Sequence, residues 1–142
     1  MRSPVATRLR HGSYLFLLLL GVHNLAILVT GADGMATLVR VGPLSHWAVE
    51  LAMQCAVVIC YGFRMARRHR LSADDAGVLG LIGAGVFVLP FVVVAPIWFG
   101  LGPDRMEPEL LLHSVVGSVV QLVVVVICTA LGAWWGRPSE RT

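Results

Sequence analysis

Four apolar runs, parted by short polar breaks, divide this chain: residues 14–32, 44–63, 76–101 and 110–135. About 20 apolar residues in a helix, rising 1.5 Å each, cross a hydrocarbon layer of about 30 Å. Each run reaches that scale, so the pattern predicts four transmembrane helices. A basic tail, with Arg2, Arg8, Arg10 and His11, precedes the first run. A basic start followed by an apolar run also describes a cleaved signal peptide, which would leave three spans. The run is longer than a usual signal core and His23-Asn24 interrupts its middle, so it reads as a retained span.

The breaks carry their own signals. Gly31-Ala-Asp-Gly34 has turn chemistry, and Met35 to Val41 reads as a short interfacial helix ended by Gly42-Pro43. Pro43 suits the first turn of the second helix, where no amide donor is needed. Arg64 to Asp75 reads as a strongly basic loop, with Ser72 or Asp74 capping the third helix. That helix holds Gly77, Gly80, Gly83 and Gly85, which permit close helix approach, and Pro90 and Pro96, which predict a kink. Gly100 to Glu109 is a polar loop. Ser114, Gly117 and Ser118 form a small-residue strip on the fourth span, which closes at Trp134-Trp135.

Composition agrees with this pattern. Of 142 residues, 57% are hydrophobic and 13% charged. A soluble domain carries about a quarter charged residues, so lipid is expected to cover much of this surface. The expected fold is all-α: a single domain over residues 1–142, an integral membrane four-helix bundle. All eleven basic residues are Arg. They flank the spans, so the net charge of +3 reflects topology, and no nucleic-acid partner is expected. With both termini inside, nine of the eleven fall on the inner side. Arginine-rich flanks stay in the cytoplasm, which places the chain in the cell membrane with both termini cytoplasmic. Cys55, Cys60 and Cys128 lie within spans, form no C-x-x-C pair, and read as packing residues.

Polar residues inside apolar spans mark the candidate chemistry. His46, Glu50 and Gln54 follow one another at four-residue spacing and share a helix face. The fourth span repeats the theme: Glu109 and His113 are four apart, and Gln121 lies two turns below His113. Both spans run in the same direction, so each carries a His/Glu pair near the same surface.

Three site chemistries follow. A metal ion could take His46, Glu50, Glu109 and His113, since imidazole and carboxylate suit zinc or a similar divalent ion. An isomerase or cyclase acting on a lipid or isoprenoid could use Glu50 as its acid or base, with His46 and His113 as partners. A haem could sit between His23 and His113. The plainer alternative makes Glu50 a packing residue that hydrogen-bonds a neighbouring helix, with His23 an alternative partner to His46. Asn24 is expected to be interhelical glue.

His46-x-x-x-Glu50 at the opening of the second span resembles, over a handful of residues, the EXPERA family of four- and five-span sterol isomerases and sterol-binding proteins. That resemblance implies acid–base work at Glu50. The first connecting loop here is short, and no matching acidic residue lies deep in another span.

The chain contains no P-loop, dinucleotide glycine pattern, G-x-S-x-G or H-E-x-x-H. The leading expectation is therefore a non-catalytic accessory or oligomeric interaction subunit. Its partners would be the lipid bilayer, and copies of itself or other membrane subunits. No cofactor is assigned.

Overall fold

The computed structural model describes residues 4–33, 44–101 and 107–137, and all of its regular structure is helical. The elements are α1 (Pro4–Thr30), α2 (Leu44–His69), α3 (Ala73–Leu89), a π-helical turn (Pro90–Val94), α4 (Ala95–Leu101) and α5 (Pro108–Gly136). The π turn joins α3 and α4 into one rod, Ala73–Leu101. The described residues thus form four rods, each long and apolar enough to cross a membrane. The expected interfacial helix over 35–41 lies outside the described residues, as do positions 102–106 of the fourth-span loop.

Helix ends depart from the apolar boundaries. The basic tail is already helical from Pro4, a residue suited to a first turn. The segment after Phe63 is also helical, continuing α2 to His69. Arginine is a good helix former, and cationic side chains in the last turn complement the negative end of the helix dipole. Arg67 also lies over the Phe63 ring, 5.0 Å from its centroid. The chain leaves α2 through Arg70 in the left-handed region, φ 51°. Ser72 is the cap of α3: its hydroxyl accepts from the Asp75 amide at 3.0 Å. Arg8 of α1 meets Asp75 at 2.7 Å.

The prolines of the third rod produce a widened turn. The Ala95 amide bonds the Pro90 carbonyl, five residues back. Pro96 has no N–H to offer the Val92 carbonyl, and its ring crowds that position, so the ladder loosens there.

Each rod has two close neighbours. α1 packs on α2 and α3; α5 packs on the same two from the opposite corner. Glycines set the closest approaches. Gly62, Gly132 and Gly136 bring the backbones of α2 and α5 together at Thr129, Ile59 and Phe63. Gly12 and Gly83 do the same between α1 and α3, where Gly83 faces Leu15. Gly80 meets Thr129, whereas a side chain at Gly77 would come no nearer than 3.9 Å to Ala130, and Gly85 and Gly117 face open space. The expected small-residue strip is therefore split: Ser114 and Ser118 are buried, and Gly117 points outward.

Leu15, Leu19, Val58, Phe87, Phe91 and Val125 fill the core. Large apolar side chains also cover the outside: Leu28, Ile97, Trp98, Leu101, Leu112 and Trp135 are each more than half exposed.

Candidate functional site

Glu50 lies about 9 Å along α2 from Leu44, and His23 about 10 Å along α1 from Thr30, at 1.5 Å per residue. The 31–43 connection joins these two ends, so both side chains sit at one level of the bundle. His23, His46, Glu50, Gln54 and Gln121 are all buried there, Glu50 at 1% exposure.

Glu50 is the hub. Its Oε1 lies 3.1 Å from His23 Nδ1 on α1. The same oxygen accepts from Gln54 Nε2 at 2.9 Å and from Gln121 Nε2 of α5 at 3.2 Å. Gln121 Nε2 also donates to Gln54 Oε1. The second Glu50 oxygen, Oε2, lies 3.4 Å from His46 Nε2. Polar groups from three helices thus converge on one carboxylate, with Gln54 and Gln121 donating to it, which is what a buried acid needs to offset its lost hydration.

The proton on His46 can be placed by elimination. The Thr30 hydroxyl contacts the Ala26 carbonyl at 2.7 Å and His46 Nδ1 at 2.9 Å. A carbonyl only accepts, so the hydroxyl hydrogen goes to Ala26, and Thr30 accepts from His46 Nδ1–H. Nε2 is left as the nitrogen with the lone pair, with no hydrogen-bond partner and facing Glu50. The His23 ring is held between Phe87 and Phe91, both edge-on, with centroids at 5.8 and 6.1 Å.

The residues named from sequence divide into two sets. His46 and Glu50 meet, and His23 joins them; the ligand atoms of these three lie within 4.8 Å of one another. Glu109 and His113 stand outside that group. Both are exposed, and His113 Nδ1 donates to the Glu109 carbonyl of its own helix at 2.8 Å. The four-residue metal set, the Glu50–His46–His113 trio and the His23–His113 haem pair are therefore not assembled as expected. Asn24 is exposed and donates to the Leu20 carbonyl of α1 at 2.8 Å. It lies about 100° around the helix from His23, so the two cannot both face the bundle. His23 and His46, the two alternative partners that the sequence offers Glu50, both lie against its carboxylate. Gln121, two turns below His113, is the one member of the fourth-span stripe that reaches the cluster, and Thr30 carries no comparable signal.

A second feature lies toward the other end. An open hollow of about 590 Å³ between α1 and α2 is lined by His11, Tyr14, Tyr61, Arg64, Arg68 and His69, among others. The Tyr61 hydroxyl closes one side by donating to the His11 carbonyl at 2.9 Å.

Compared with known protein families, with curated proteins and with solved structures, the chain has no match in any of the three. The likeness to the EXPERA family stays confined to the His46/Glu50 spacing.

Proposed function

We propose that this chain is an integral protein of the cell membrane, with four spans and both termini in the cytoplasm. In this reading it serves as a non-catalytic accessory subunit that associates with copies of itself or with other membrane proteins. The observation that carries the reading is the use made of Glu50. Its Oε1 accepts from Gln54 of α2 and Gln121 of α5 and contacts His23 Nδ1 of α1, so the most polar group in the bundle ties helices together.

Two further features support the membrane setting. Exposed leucines and valines on α1, on the Ala73–Leu101 rod and on α5, with Trp98, Trp134 and Trp135 on the last two, would be costly in water, at about 25 cal/mol per Å² of apolar surface. Nine of eleven arginines fall on the side of the termini and the α2–α3 turn. The outward face of α5, with Val116, Val120, Val123 and Ile127, offers an apolar stripe suited to lipid or to a second subunit.

Size measurement in mild detergent tests the subunit role. The full chain is expected to be an oligomer, or to co-purify with another membrane protein. A lone monomer from native membranes contradicts the interaction role and leaves the span count standing.

A further inference from the structure

We infer that His23, His46 and Glu50 form the seat of a divalent transition-metal ion, with zinc the first choice. This rests on the reading of the cluster as a closed tie inside a membrane bundle, and gives that tie a metal-dependent state.

The donor set is the first argument. Two imidazoles and one carboxylate suit zinc and the neighbouring first-row ions, and three protein ligands leave one coordination position open. All three side chains are more than nine-tenths buried, and their ligand atoms fall within 4.8 Å of one another.

Distance is the second. A four-coordinate ion with bonds of about 2.0–2.1 Å holds neighbouring ligand atoms about 3.3 Å apart. His23 Nδ1 lies 3.1 Å from Glu50 Oε1, and His46 Nε2 lies 3.4 Å from Glu50 Oε2. A proton shared between imidazolium and carboxylate would draw them to about 2.7–2.9 Å. The 3.4 Å separation fits ligands around a common ion better than a charge-assisted hydrogen bond.

The direction of His46 agrees with the donor set and the distances. Its Nδ1 hydrogen goes to Thr30, whose own hydrogen goes to Ala26. Nε2 therefore presents a lone pair, fully buried and without a hydrogen-bond partner, toward a carboxylate oxygen. A cation beside Nε2 would give that nitrogen the partner it lacks. Metal-bound histidines commonly donate their other ring N–H to an oxygen acceptor that fixes the ring, and Thr30 fills that place. Gln54 and Gln121 do the same for the carboxylate through Oε1.

The test uses the full chain, tag removed, in detergent and washed with chelator. Zn²⁺ is titrated by calorimetry, and Co²⁺ serves as the optical probe of a tetrahedral nitrogen/oxygen site. A single ion per chain is expected. His23→Gln and His46→Gln should each weaken binding by more than the roughly 10–100-fold that loss of an outer-shell partner costs. His113→Ala should bind as the wild type does. Should a histidine variant fail to fold, Thr30→Val reads the same site from the outer shell: about 10–100-fold weaker binding, restored by Thr30→Ser. A monodisperse wild type that binds neither ion overturns the inference. So does binding that is undiminished in both histidine variants, or in Thr30→Val where those variants do not fold. An oligomer without metal affinity counts against the seat alone; a metal-binding monomer counts against the subunit role alone.

Discussion

The Thr30 hydroxyl accepts a hydrogen bond from His46 Nδ1 at 2.9 Å, because its own hydrogen is held by the Ala26 carbonyl at 2.7 Å. One turn at the end of α1 thereby sets the tautomer of a buried histidine on α2. Thr30→Val keeps the shape and removes the acceptor, leaving the His46 N–H unsatisfied. We expect a loss of about 1–3 kcal/mol, the usual cost of such an orphan, with Thr30→Ser near wild type. Unfolding in a denaturing detergent titration measures both. Equal stability of the Val and Ser variants would separate Thr30 from the cluster.

Glu50 should respond to shape and hydrogen bonding more than to charge. Glu50→Gln keeps an acceptor for Gln54 and Gln121, and is expected to retain the fold with a modest loss of stability. Glu50→Leu leaves the Gln54 and Gln121 donors, and the His23 ring, without that oxygen, and should cost about 1–3 kcal/mol more than Gln does. Thermal unfolding in detergent orders the two. A Leu variant as stable as the Gln variant would remove Glu50 from its place as hub.

Helix contact at α2 and α5 depends on the absence of a side chain at particular glycines. A Cβ at Gly132 meets the Ile59 backbone, and one at Gly62 meets the Thr129 backbone. Neither neighbour is a flexible side chain that can swing away. Gly132→Ala and Gly62→Ala should each destabilise by about 1–3 kcal/mol. Gly85→Ala and Gly117→Ala enter open space and should be neutral or stabilising by up to about 1 kcal/mol, since alanine favours helix. The sign difference between the two pairs, read in one unfolding assay, is the check.

Topology is tested by reporters. Fusions after Arg70 and after Thr142 are expected to report the cytoplasm, and insertions between Gly34 and Pro43 the exterior. A cytoplasmic signal from the 34–43 connection would invert or break the four-span arrangement.

The four rods are legible in the sequence because apolar runs of membrane length have few other structural uses. Their ends are less so. Hydropathy cannot tell that Arg64 to His69 prolong α2, since the same arginines suit a helix end or a loop. The kink expected at Pro90 and Pro96 appears as a π turn, whose register depends on local hydrogen bonding. Half of the site could be seen: His46 and Glu50 share a face by spacing alone. The rest depends on rotation about each rod. His23 turns inward and Asn24 outward; Ser114 and Ser118 are buried while His113 and Gly117 are exposed. Nothing in the order of residues distinguishes those orientations before the rods pack.

The link between His23 and Glu50 carries the account, since it joins α1 to α2 at the level of the cluster. A double-mutant cycle with His23→Ala, Glu50→Ala and the pair, measured by unfolding in detergent, tests it most directly. A coupling free energy of about 0.5–3 kcal/mol is expected for residues in direct buried contact. Additivity within about 0.3 kcal/mol would mean that the two residues do not meet in the folded protein.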